Sequence, residues 1–188
     1  MFQRFLVLAA LLGLAACQSI QVDSDYDPHR DFAALQTWGW QEPAVQYRPN
    51  DPRLASGLTE QRVMQAVEQQ LEQRGLRQIA PGAPADIHVQ AFLIVDVRSE
   101  QIATYYGSDL MSDRWGGLWA SPGYTEVRTR DYQVGTLQLD FLDRDGKLIW
   151  RGSGAQLVRR NPGSPQERSA AIHETVAKIL SQYPPRRR

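Results

Sequence analysis

One cysteine, Cys17, stands in the whole sequence, so no disulfide can form within the chain and its fold must be held by packing alone. Charge of one sign is not in excess either: 21 Lys and Arg balance 21 Asp and Glu. A nucleic-acid partner needs a basic face for the phosphate backbone, and this balance argues against one. No apolar run reaches the roughly 20 residues that a helix needs to cross a bilayer. The three histidines, His29, His88 and His173, lie in separate segments without a ligand spacing. His173-Glu174-Thr175-Val176-Ala177 has alanine where a zinc protease needs its second imidazole. Gly152-Ser153-Gly154 lacks the G-x-S-x-G spacing of a nucleophile elbow, and no glycine-rich phosphate cradle is present. Asp143, Asp145 and Gly146 resemble part of a calcium loop, but its first and twelfth positions would be Phe141 and Gly152, which supply no carboxylate. These absences predict a protein that is not an enzyme and uses no metal or cofactor.

What is present begins at the N-terminus. Arg4 precedes an apolar run, Phe5 to Ala16, and then comes Leu14-Ala15-Ala16-Cys17. A charged start, a short apolar stretch and small residues before a cut site describe a secretory signal that is removed. Leu-Ala-Ala-Cys resembles the lipobox of bacterial lipoproteins. That resemblance implies a signal peptide of residues 1–16, cleavage before Cys17 and a lipid (palmitate-type acyl chains) on that cysteine. An ordinary signal peptide with a chance cysteine, or a buried core helix, is the plainer alternative. With Cys17 acylated, no thiol is left. One acyl chain binds a membrane reversibly, each buried CH₂ adding about 0.8 kcal/mol, so several chains would anchor the protein for good. Gln18 rather than Asp follows the cysteine; by resemblance to enterobacterial sorting, this favours the outer membrane, facing the periplasm. The expected membrane contact is therefore the lipid on Cys17, with residues 17–188 forming a single periplasmic domain.

Along that domain, Ile20 to Asp25 alternates apolar and polar residues as a short strand does. Gln18 and Ser19 give a tether of only about 10 Å, holding the domain close to the membrane. A strand is expected around Thr37 to Gln41, with Trp38 and Trp40 on one face as core aromatics. Residues 42–56, which hold Pro43, Pro49 and Pro52, read as a surface loop. A first helix is expected from an N-cap at Thr59 to Gly75, burying Val63, Ala66, Val67 and Leu71. Leu76 to Ile79 reads as a short strand. Ile87 to Arg98 is the strongest strand signal, with Ile87, Val89, Ala91, Leu93, Val95 and Val97 on one face and a place inside the sheet. Val127 to Leu142 and Lys147 to Leu157 form a hairpin turning at Asp143-Arg144-Asp145-Gly146. The apolar parity changes at Gly135, which predicts a β-bulge or kink there. Ser164-Pro165-Gln166-Glu167 opens a second helix with a capping box, and Pro184 and Pro185 end it. The basic tail Arg186 to Arg188 reads as an exposed terminus.

Residues 105–124 break the pattern. Tyr105, Tyr106, Trp115, Trp119 and Tyr124 lie among glycines without strand or helix periodicity. Long loops inside a compact domain carry function or move, and exposed rings ask to be covered or used. Two readings stay open: a stacking surface for the sugars of peptidoglycan or lipopolysaccharide or for a protein partner, and a twisted hairpin excursion whose Trp residues fold back onto the sheet.

Several stretches together resemble a family of bacterial lipoproteins known as "domain of unknown function 4136". They are Ser24-Asp25-Tyr26-Asp27, Thr37-Trp38-Gly39-Trp40, Leu71-Glu72-Gln73-Arg74-Gly75-Leu76, Ala85-Asp86-Ile87-His88-Val89, Gly135-Thr136-Leu137-Gln138-Leu139-Asp140, Leu148-Ile149-Trp150-Arg151-Gly152 and Tyr183-Pro184-Pro185. The resemblance implies an anchored periplasmic α+β domain and brings no activity with it. The expected fold is α+β: an antiparallel or mixed sheet of five to six strands with two helices packed on one face. The expected role is a non-catalytic, membrane-anchored envelope lipoprotein that binds or scaffolds an envelope protein or glycan.

Overall fold

The computed structural model describes residues 20–52, 55–106, 124–158, 161 and 163–185. It holds the expected α+β architecture: a six-stranded mixed sheet and two α-helices, with a 3₁₀ turn at Phe32–Ala34. In chain order the elements are β1 (Gln21–Tyr26), β2 (Thr37–Arg48), α1 (Gly57–Gln73), β3 (Arg77–Gln78), β4 (Ile87–Tyr106), β5 (Tyr124–Leu142), β6 (Leu148–Leu157) and α2 (Pro165–Leu180). Across the sheet they lie β1-β6-β5-β4-β2-β3. β2 runs parallel to both β3 and β4, and every other pair is antiparallel. The edge strand β3 is two exposed residues long, and so short an edge offers little template for pairing with another chain.

Both helices pack on one face of the sheet. Alternation along the strands sends Ile87, Val89 and Ala91 of β4, Leu137, Leu139 and Phe141 of β5, and Trp150 of β6 to that face. They meet Val63, Val67 and Leu71 of α1 and Val176, Ile179 and Leu180 of α2 in one buried core. Trp38 is buried and packs edge-on against Trp40 at 5.4 Å, as their shared parity predicts. Phe141, Trp150 and Tyr183 form an aromatic cluster with centroids 4.7–5.4 Å apart, and Phe32 extends it from Tyr183 at 5.8 Å. β6 passes close beneath α2 because Gly152 and Gly154 lie on the helix side. A Cβ at Gly152 would collide with Trp150 and Ile179, and one at Gly154 would press on Ile179 and Thr175 at 3.1 Å.

Local signals held where they were chemical. α2 has its capping box: the Ser164 hydroxyl accepts from Glu167 N at 3.2 Å and Ser164 N donates to Glu167 Oε2 at 2.7 Å. Gly75 and Gly146 take positive φ, 81° and 76°, just past α1 and in the β5–β6 turn. In that turn Asp143 Oδ1 accepts from the amides of Asp145 and Lys147, both at 3.0 Å.

Four expectations are corrected. Residues 42–48 are strand: β2 continues through Pro43 to Arg48 and pairs with β4, with a register shift between Trp40 and Val45 that accommodates the proline's missing donor. α1 starts at Gly57 after an N-cap at Ser56, three residues before the expected N-cap at Thr59. No bulge occurs at Gly135, whose pairing with Val95 is in register; the irregularity of the β5–β6 pair lies between Phe141 and Leu142. The parity change instead marks where burial switches face, since Val134 is buried on the side opposite Leu137. Finally, Val97 does not reach the core and is 66% exposed. β4 and β5 outrun their neighbours: β2 stops pairing at Ile94 and β6 at Val134, while β4 and β5 stay paired to Tyr106 and Tyr124. At about 3.3 Å per residue, this two-stranded ribbon extends roughly 35–40 Å beyond the helix-covered sheet.

Candidate functional site

The ribbon places some of the sequence-predicted residues and separates others. Tyr106 and Tyr124 are direct cross-strand partners, stacked with centroids 5.3 Å apart and planes 23° from parallel. Tyr105 is 66% exposed, but alternation turns it to the other face, opposite Thr125. Cys17, Trp115 and Trp119 lie outside the described residues. Tyr105, Tyr106 and Tyr124, the described residues of that stretch, are therefore paired strand residues, with two rings presented together and one turned away.

The two ribbon faces differ in chemistry. The face that carries the stacked tyrosines also carries Arg98, Glu100, Ile102, Glu126, Arg128 and Arg130, with Arg128 Nε 2.7 Å from Glu126 Oε1. The other face, continuous with the helix side of the sheet, carries Val97, Gln101, Ala103, Val127 and Thr129, and its Asp131 accepts from the Ser99 hydroxyl at 2.6 Å. Val97, Ile102 and Val127 are exposed apolar residues on a two-stranded element that has no core of its own.

At the base of the ribbon the helix side opens into a groove of about 390 Å³, lined by the first turns of α1 and α2 and by β4, β5 and β6. Leu93, Val95 and Leu137 make its floor, where Gly135 and Gly154 contribute backbone only. Val63 and Ile172 form apolar walls, and Arg62 and Arg168 stand among the lining residues with Glu167 and Glu174. At the other end of the helices the layer is closed: Arg74 of α1 donates from Nε to the Leu180 carbonyl of α2 at 3.1 Å and from Nη1 to the Gln70 carbonyl at 2.8 Å. Sequence reading missed this groove because its parts are ordinary core positions; the one available signal was Gly154 beneath a helix.

The partly buried carboxylates are committed to structure. Asp86 Oδ2 accepts from the Thr37 hydroxyl at 2.8 Å and from the amides of Thr37 and Gln36, while Oδ1 pairs with Arg144. Led by the Thr37 hydroxyl, these donors lower the Asp86 carboxyl from 3.8 to about 2. Asp140 takes a two-point contact from Arg151, Nε to Oδ1 at 2.7 Å and Nη2 to Oδ2 at 2.5 Å. No group of three or more His, Cys, Asp or Glu that could hold a metal occurs among the described residues. No described helix is long and apolar enough to cross a membrane.

Residues 22–185 match the profile of the domain of unknown function DUF4136. The chain belongs to that family. A crystal structure of another DUF4136 protein, from Bacteroides thetaiotaomicron, is 16% identical with a TM-score of 0.53 over 88% of this chain and 96% of that one, which shows a shared fold. PelC, a dodecamer from Paraburkholderia phytofirmans, is 11% identical with a TM-score of 0.46 over 87% of this chain and 96% of its own. A PDZ domain protein from Parabacteroides distasonis is 15% identical with a TM-score of 0.49 over 95% of this chain, which spans 40% of that protein's length. Among curated proteins no match is found. Membership of DUF4136 accounts for the quoted stretches from Ser24 to Pro185 without attaching a reaction to them.

Proposed function

We propose that this DUF4136 protein is a non-catalytic bacterial envelope protein, anchored by a lipid on Cys17, that uses its projecting β4–β5 ribbon to bind or scaffold another envelope component. The observation that supports this reading is the ribbon itself. Its strands leave the core for a dozen residue pairs and expose Val97, Ile102, Tyr105, Tyr106, Tyr124 and Val127, whereas apolar side chains elsewhere are largely drawn under the helices. An isolated two-stranded hairpin is marginal in water, so apolar residues placed there favour a partner surface over a folding role. The start of β1 at Gln21, four positions after Cys17, fits a domain held close to a membrane; the outer membrane, facing the periplasm, is the proposed location.

Photo-crosslinking residues placed in cells at Val97 and Val127, and at Asp145 in the turn of the β5–β6 hairpin, test the ribbon. A shared adduct at the ribbon positions and none at Asp145 is expected; adducts at neither ribbon position would overturn the reading. Mass spectrometry of the native N-terminus tests the anchor: an acylated Cys17 as first residue is expected, and a free thiol there refutes it.

A second reading is favoured by the stacked Tyr106–Tyr124 pair, which offers a flat aromatic surface at the ribbon end. In this reading the ribbon end binds a glycan, peptidoglycan or lipopolysaccharide. Retention on purified peptidoglycan that disappears in a Tyr106→Ala, Tyr124→Ala variant supports it, and retention unchanged by those substitutions counts against it.

A further inference from the structure

We propose that the groove between the first turns of α1 and α2 binds one fatty-acyl chain of an anionic amphiphile, with Arg62 and Arg168 holding its charged head. The volume, about 390 Å³, lies at the small end of ligand-binding cavities. It is bounded by Val63 and Ile172 on the helices and by Leu93, Val95 and Leu137 on the sheet, an apolar lining suited to a hydrocarbon chain.

Charge decides the head group. Of the acids that line the groove, Glu167 is held by the Ser164 amide in the capping box, and Glu174 pairs with Lys178 at 2.9 Å. Arg62 and Arg168 form no side-chain ion pair or hydrogen bond among the described residues. Arg62 is half-buried in the first turns of α1 and Arg168 is exposed in the first turn of α2, and both line the groove. The acids are occupied and the guanidiniums are open, so the groove offers donors to a carboxylate or phosphate next to an apolar slot. A neutral lipid would fill the slot and leave both arginines to water. The lipid proposed on Cys17 is of that neutral kind and is a different molecule from the anionic amphiphile of the groove.

The test uses the full chain in phosphatidylcholine nanodiscs, with a palmitate carrying a mid-chain diazirine as the probe. After irradiation, label is expected on the peptides that contain Val63, Leu93 and Ile172, and excess palmitate should remove it. Arg62→Gln with Arg168→Gln is expected to lower labelling at subsaturating probe about tenfold, which is about 1.4 kcal/mol of affinity. Ala171→Trp, which fills the slot from a half-exposed helix position, is expected to abolish it. Unchanged melting temperatures show that both variants are folded. Label absent from those peptides overturns the proposal, and so does equal labelling by an uncharged diazirine monoacylglycerol. Labelling that appears only after Cys17→Ser would assign the groove to the chain's own lipid and overturns it as well. If Cys17 carries no lipid, the same assay runs on the soluble chain, so loss of the anchor and loss of the groove ligand are read separately.

Discussion

Gly152 lies where β6 passes beneath α2, and any side chain there meets Trp150 and Ile179, both fully buried. Gly152→Ala therefore overpacks the core and is expected to cost about 1–3 kcal/mol in urea denaturation, more than a Gly→Ala change gains from chain entropy. Asp86 gives a second residue-scale expectation, this time in pH. Its carboxyl sits at about 2 when folded against 3.8 otherwise, so the folded state favours the ionised form. The stability it contributes is complete above about pH 4 and is lost as the pH falls through about 2. Thr37→Val removes the hydroxyl that contributes most to this shift. The variant is expected to be about 1–2 kcal/mol less stable than the parent at pH 7, with the gap closing towards pH 2. A gap that stays constant across that range would mean the hydroxyl stabilises through packing and the bond it accepts from Asp86 N at 3.1 Å, not through the carboxylate.

Among the elements, the β4–β5 pair divides into two regimes. From Ile87 to Ile94 β4 has strands on both sides and helices over one face; from Val95 to Tyr106 it pairs only with β5. Burial follows the division, with Ile87, Val89 and Ala91 fully covered and the positions from Asp96 onward exposed. Hydrogen exchange is expected to separate the two halves: amides of Val89 and Ala91 open only with global unfolding, and those of the ribbon exchange through local opening orders of magnitude faster. Equal protection along β4 in the free protein would show that the ribbon is covered by a second surface. The strand signal was legible because Ile87 to Arg98 alternates, but its end was not. Gln101, Thr104 and Tyr105 carry no apolar face, and their strand state comes from pairing with Thr129, Glu126 and Thr125. The same physics hid the second half of β2, where pairing of Val45 to Arg48 with β4 overrides the local loop preference of Pro43.

At the scale of the molecule, Tyr183 ties the chain's ends together. It comes from the segment after α2, is buried, and touches Phe32 near the N-terminus as well as Phe141 and Trp150 of the sheet. Its ring supports the assembly, whereas its hydroxyl is buried without a hydrogen-bond partner among the described residues. Burial pushes its pKa up to about 12. Tyr183→Ala is expected to cost about 3–5 kcal/mol, and Tyr183→Phe to be neutral or to stabilise by up to about 1 kcal/mol, because it removes an unsatisfied polar group. Thermal unfolding of the two variants checks both; a Phe variant as unstable as the Ala variant would show that the hydroxyl has a partner.

What the sequence determined by itself is whatever short-range chemistry can dictate. Ser164 and Glu167 start α2, Gly75 closes α1, Asp143 and Gly146 shape a turn, and the parity of Trp38 and Trp40 or of Ile87 and Val89 names the buried face. The family stretches were legible for the same reason, since most of them are caps, turns and core strands. Only the tertiary structure decided which strands are neighbours, how far β4 and β5 run beyond them, and that Arg62 and Arg168 share a groove. Strand partnership, the free ends of paired strands and the space between two helices depend on residues far apart in the chain, and no local propensity encodes that distance.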